Sequence, residues 1–158
     1  MIKPTLILAV LGLSAIGNLF AEDAPVDQLA EGKKNYMMIC IACHQATGMG
    51  LPAVFPPLTN SPYVAGSADR LAAIILKGNA GPFVVDGKPF NQIMPGQEAV
   101  LTDAKIAAVM TFVRASFGNT AGPVSAEVVT AARAKYADRK TPWTQPELDA
   151  WKDPEAAK

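Results

Sequence analysis

The sequence predicts an all-α fold of three main helices joined by proline-rich loops, with a further helical extension at the C-terminus. Three observations carry this expectation. Apolar residues recur at helical spacing in three separate stretches. Seven of the 13 prolines (Pro52, Pro56, Pro57, Pro62, Pro82, Pro89 and Pro95) fall within 44 residues, where fixed φ and missing N–H donors exclude a long helix or a central strand. The last forty residues hold an alanine-rich segment and a helix-start pattern of their own. A chain of 158 residues fits one domain of ordinary size and is too short for a TIM barrel or a two-lobed dehydrogenase. Its 14 basic and 14 acidic residues balance, with no block of like charge, which argues against nucleic-acid binding.

The elements follow in order. Met1 to Ala21 has a positive start at Lys3, an apolar run from Leu6 to Ile16, and a small residue at Ala21 before Glu22 and Asp23. That pattern predicts a signal peptide over 1–21, cleaved after Ala21, with an uncleaved membrane-tethering helix as the alternative. Cleavage leaves 13 basic against 14 acidic residues, a charge of −1. Val26, Leu29, Ala30, Lys33, Tyr36, Met37 and Cys40 predict a first helix that ends at the cysteines. Ser67 as N-cap, Leu71, Ile74 and Ile75 on one face, and Gly78 as C-cap predict a second. The third runs from Thr102, carries Ile106, Val109, Met110, Val113 and Phe117 on one stripe, and closes at Gly118. Val84-Val85, Asp86-Gly87 and Lys88 predict a small hairpin between the second and third helices. In the extension, Ser125 to Tyr136 and a capping box at Thr144 to Glu147 predict two more helices, the last reaching Trp151. Helices joined by such long loops bury little against one another, so something else is expected to fill the core.

The chain has 2 Cys and 1 His, and they stand together as Cys40-Ile41-Ala42-Cys43-His44. Random placement gives this C-x-x-C-H spacing in about one arrangement in ten thousand. A haem held by two thioethers needs two cysteines one helical turn apart and a histidine directly after, beneath the iron. The rival chemistries fit less well. A thioredoxin-like dithiol wants a strand before the motif and a helix starting at it, whereas these cysteines close a helix. A zinc site lacks ligands, and a disulfide between cysteines three apart closes a trivially small loop. In an exported protein the pair must be oxidised, metallated or covalently used, and one covalent haem c uses it while supplying the missing core.

The second axial position decides the chemistry: with His and Met the iron is six-coordinate, its potential is raised and electron transfer is favoured, whereas an open position favours catalysis or ligand sensing. Met37 and Met38 lie within a turn of Cys40 and read as packing residues, and Met49 follows His44 too closely to pass round the macrocycle. Met94, in Ile93-Met94-Pro95-Gly96, lies off any helix period on a loop with the reach to arrive from the far side, and Met110 on the third helix is its main competitor. The other ring nitrogen of His44 needs an acceptor, which a carbonyl of Phe55-Pro56-Pro57-Leu58 can supply.

Gly32 and Tyr36 before the C-x-x-C-H motif, Gly48-Met49-Gly50-Leu51-Pro52, Phe55-Pro56-Pro57-Leu58, Met94-Pro95 and Phe112-Val113-Arg114 together resemble a bacterial class I cytochrome c over residues 27 to 118. The resemblance implies a cytochrome c fold wrapped around one covalently bound haem. It implies thioethers at Cys40 and Cys43, axial ligands His44 and Met94, the Pro56 carbonyl accepting from His44, and a crossing of the first and third helices near Gly32 and Phe112. The expected organisation is a cytochrome c domain over 22–118 and an extension over 119–158, the latter packing back through Trp143 and Trp151. The expected function is a periplasmic, non-enzymatic one-electron carrier, monomeric when free, between a donor complex or dehydrogenase and an oxidase or reductase. The alternatives are a cytochrome subunit bound permanently to a larger oxidoreductase and a five-coordinate haem enzyme or sensor. Lys33, Lys34, Lys77 and Lys88 are candidates for a basic docking rim.

Overall fold

The computed structural model describes residues 25–152, so the signal segment expected over 1–21 lies outside it. The chain enters as α1 (Pro25–Asn35), passes through a π-helical turn (Tyr36–Cys40) and continues as α2 (Ile41–His44). The first helix therefore does not stop at the cysteines. It carries the whole C-x-x-C-H motif and breaks at Gln45, whose φ of 60° ends the helical path. The π turn widens the helix by one residue and shifts the phase of everything after it by about 100°.

Past a proline-rich loop, α3 (Pro62–Ala65) is a single turn that the sequence reading missed. It is opened by Pro62, whose lost N–H is unneeded at a first helical position. The second long helix, α4 (Ala68–Lys77), has the expected caps: the Ser67 hydroxyl accepts from Arg70 N–H at 3.4 Å, and Gly78 follows. β1 (Gly78–Asn79), the hairpin β2 (Phe83–Val85) and β3 (Lys88–Phe90), and β4 (Met94–Pro95) fill the expected long loop. Asp86 and Gly87 turn the hairpin with φ of 50° and 71°, so Val85 faces Lys88.

The third helix, α5 (Asp103–Arg114), starts at the Thr102 cap as expected but ends four residues before Gly118. Asn119 explains the early stop: its side-chain amide donates to the Val113 carbonyl at 3.0 Å and to Leu58 at 2.9 Å, satisfying the helix end from outside. Phe117 reaches the core from the turn instead, packing tilted against Tyr36 and edge-on against Phe112 at centroid separations of 5.4 and 5.6 Å. α5 crosses α1 at Gly32, where a Cβ would stand 2.0 Å from the Ala108 carbonyl oxygen and 2.8 Å from Phe112 Cβ. Only a residue without a side chain permits that approach.

The extension forms α6 (Ala126–Lys135) and α7 (Gln145–Asp149), the latter ending two residues before Trp151. α6 packs on α4 and α5, adding buried Val129 and Ala132 to the main core. Trp143 is buried with Leu148 in a second cluster that includes Ala73, Ile74, Phe83 and Phe90. Trp151 remains half-buried against it. Two sequence expectations about surface residues are corrected here. Lys77 is buried and ion-paired with Glu98 at 2.6 Å, so it cannot belong to a basic rim. Met37 and Met38 are 43% and 60% exposed, not packing residues.

The capping box of α7 is also a pH-sensitive clasp. Glu147 accepts from Arg139 at 2.9 Å and from the Thr144 N–H and hydroxyl at 2.8 Å, which holds its carboxyl at about 2, below its ordinary 4.5. A folded-state pKa lowered in this way contributes stability that is complete above 4.5 and disappears as the pH falls towards 2. Fluorescence of Trp143 and Trp151 is expected to report a loosening of the extension in that acid window. Glu147→Gln is expected to remove this acid phase and to weaken the extension at neutral pH; an unchanged phase in the variant assigns it to another carboxylate.

Candidate functional site

A cavity enclosing about 1220 Å³, part of it open to solvent, lies between α2, α4, α5 and the two small sheets. Cys40, Cys43 and His44 form one wall, with Phe55, Pro56, Pro57 and Leu58 beside them. Leu71, Ile74 and Ile75 of α4 and Val109 and Val113 of α5 supply the floor, because the stripes predicted from helical spacing face inward. Met94 and Pro95 belong to the wall built by β4.

The cysteines are free thiols one helical turn apart on the π turn and α2. Burial, and secondarily the neighbouring Cys43, pushes the Cys40 thiol up to about 11. An unmodified thiol here is therefore neutral and half-buried rather than a poised redox nucleophile. His44 Nδ1 lies 3.3 Å from the Pro56 carbonyl oxygen. A carbonyl only accepts, so Nδ1 carries the proton and Nε2 keeps its lone pair. Burial lowers the His44 pKa, with the Pro56 contact opposing it, which favours the neutral ring a metal ligand requires. The motif is held from behind by Tyr36, fully buried, whose hydroxyl donates to the Gln45 carbonyl at 2.6 Å.

The methionines separate cleanly. Met110, the competitor weighed from the sequence, is fully buried on α5 and does not line the cavity; Met37, Met38 and Met49 do not line it either. Met94 does, and it lies on a strand rather than the loop expected: Asn79 pairs with Met94 and Gly78 with Pro95. Gly78 is essential to that pairing, since at its φ of 74° a Cβ would come 2.1 Å from the Met94 carbonyl oxygen.

Several wall residues escaped the sequence reading. Phe83, Val85 and Phe90 line the cavity from the hairpin, a role hinted at only by their alternation along two three-residue strands. Leu148, fully buried, lines it from the extension and had no sequence signal beyond being an apolar residue after a capping box. Tyr63 lines it too, its hydroxyl bonded to Asp149 and Gln145 of α7.

The comparisons with known proteins agree on one family. The family model described as Cytochrome c matches residues 29–116. The chain belongs to the cytochrome c family. Cytochrome c-552 of Thermus thermophilus is 35% identical over 117 residues, covering 67% of this chain and 86% of that protein. The cytochrome c subunit of a quinone alcohol dehydrogenase from Gluconacetobacter polyoxogenes is 32% identical over 74% of this chain. The gluconate 2-dehydrogenase cytochrome c subunit of Pantoea cypripedii is 36% identical over 68% of this chain. The alignment spans about a quarter of each of these two subunits, 27% and 25%.

As a cytochrome c the protein is an electron-transfer protein, not an enzyme, and its family binds haem c covalently. The site suits that group on its own terms. A cavity lined mostly by apolar side chains faces two free thiols at thioether spacing, with the His44 imidazole beside them. Among the described residues no helix is long and apolar enough to cross a membrane.

Proposed function

We propose that this cytochrome c is an exported, periplasmic one-electron carrier holding a single haem c. Residues 22–118 form its haem domain, with Cys40 and Cys43 as thioether anchors, His44 and Met94 as axial ligands and Pro56 as the carbonyl that orients His44. The carrying observation is that Met94, alone among the methionines of the described residues, lines the cavity that Cys40, Cys43 and His44 also line. Bound there, haem c supplies a one-electron Fe(III)/Fe(II) couple. The chain's own residues do the rest. Pro56 keeps the His44 proton on Nδ1, which fixes the tautomer and raises the basicity of Nε2. The apolar walls from α4, α5 and the hairpin exclude water, which limits solvent reorganisation when the charge changes.

The oxidised holoprotein is expected to be low-spin, with the weak far-red band of a Met–iron bond. A high-spin spectrum without that band would overturn the carrier reading in favour of a five-coordinate haem enzyme or sensor. Donor and acceptor are redox proteins, a donor complex or dehydrogenase on one side and an oxidase or reductase on the other. A second reading has its own support: the similarity to dehydrogenase cytochrome subunits fits a subunit permanently bound to a larger oxidoreductase. Gel filtration of native extract separates the two. A free carrier elutes near the 16.6 kDa of the chain or slightly below, and a bound subunit with a much larger assembly.

A further inference from the structure

β1, the partner of the strand that presents Met94, is held from both sides. On one side β1 pairs with β4, placing Asn79 opposite Met94. On the other, β1 pairs with the C-terminal extension: Trp143 N–H donates to the Gly78 carbonyl at 3.0 Å, Ala80 N–H donates to the Trp143 carbonyl at 2.8 Å, and Asn79 and Trp143 form a parallel bridge. Met94, Asn79 and Trp143 are thus three neighbouring rungs. An isolated pair of two-residue strands is unstable in water, so β1 and β4 need this third partner.

The third partner is itself tied down. Trp143 donates its indole N–H to the Ala73 carbonyl of α4 at 3.0 Å, and its ring packs edge-on against Tyr136 and Trp151 with centroids 5.2 Å away. Arg139 covers the outer face of that ring at 3.5 Å and donates to the carbonyls of Thr141 and Pro142 at 2.8 and 2.9 Å, gripping the chain just before the pairing. Two residues later Gln145 clasps Val84 of β2, accepting its N–H at 2.8 Å and donating to its carbonyl at 2.9 Å. Residues 139–148 therefore touch α4, β1 and β2 and end at Leu148 in the cavity wall.

We infer that residues 139–148 are a strap that positions Met94: by pairing with β1 they fix the strand that presents the methionine, and so set how readily an outside ligand displaces it. Arg139 and Trp143 are positioning residues that act through the main chain of β1. The inference rests on Met94 being an iron ligand.

The test uses full-length ferric holoprotein and reads the rate of cyanide binding, the reduction potential and hydrogen exchange of the Ala80 amide. Trp143→Pro removes the donor to Gly78 outright. Arg139→Ala loosens the grip from outside the cavity and serves should the proline variant fail to take up haem. Arg139→Lys keeps the charge over the Trp143 ring. Val129→Ala lowers stability from α6, away from the strap. The strap variants are expected to speed cyanide binding and Ala80 exchange together by about tenfold, with Lys restoring part of the loss, because local opening controls both. Their potential falls, and Val129→Ala leaves all three readouts near those of the parent. Faster Ala80 exchange with unchanged cyanide binding and potential would sink the inference, as would an Ala80 amide unmoved in every strap variant or an equal acceleration in Val129→Ala. Met94→Ala separates failure of the ligand assignment: if the parental far-red band and cyanide rate survive in that variant, Met94 is not the ligand, whatever the strap variants do.

Discussion

Met94→Ala is expected to abolish the far-red Met–iron band and to lower the reduction potential by on the order of 0.2 V, within the roughly 0.8 V that axial ligation spans. The argument is one of placement. Ligation needs a thioether that lines the cavity with His44, and Met94 meets that condition while Met37, Met38, Met49 and Met110 do not. The thioether stabilises Fe(II) relative to Fe(III), so its loss favours the oxidised state. The paired control is Met110→Ala. Met110 is fully buried in the core beneath α5, so its truncation is expected to cost about 2–5 kcal/mol of stability while leaving the spectrum intact. Potentiometry and absorption spectra of the two holoproteins check both halves. A far-red band that survives in Met94→Ala and vanishes in Met110→Ala would transfer the role to Met110.

Gly32→Ala is expected to destabilise the holoprotein by about 3 kcal/mol or more, although alanine is the better helix former by about 1 kcal/mol. The clash decides the sign. A Cβ at Gly32 meets the Ala108 carbonyl oxygen at 2.0 Å and its carbon at 2.7 Å, and backbone cannot rotate away as a side chain can. Relief requires α1 and α5 to move apart, which disturbs the stacking of Tyr36 on Phe112 at 5.4 Å and hence the anchor behind the cysteine motif. Denaturant unfolding measures the effect as a lower midpoint at unchanged slope. A loss below about 1 kcal/mol would mean that the helices have room to separate at little cost.

Legibility from sequence follows the range of the interaction. The caps of α4 and the start of α5 were readable because Ser67 and Thr102 bond only three residues ahead. The hairpin was readable because Asp86-Gly87 dictates its own turn. The end of α5 was not, since the side chain that satisfies it, Asn119, also answers to Leu58 in a distant loop. The passage of the first helix through the motif was hidden for a related reason: a π turn breaks the 3.6-residue period on which the reading relied. Lys77 was misread as rim because its partner Glu98 is 21 positions away.

The sequence by itself determined which residues stand together at the centre. Cys40, Cys43 and His44 lie within five consecutive positions, so their spacing alone points to a covalent haem, and with Gly32, Tyr36, Phe55-Pro56-Pro57-Leu58 and Met94-Pro95 it carries the family resemblance. Only the tertiary structure decided that Met94 rather than Met110 lines the cavity with His44, that Leu148 seals a wall of it, and that the extension pairs with β1 beside the Met94 strand. The physical reason is that those last contacts run through backbone N–H and carbonyl groups, which every residue carries alike. Trp143 and Asn79 meet through such groups, and no pattern of side chains records the meeting.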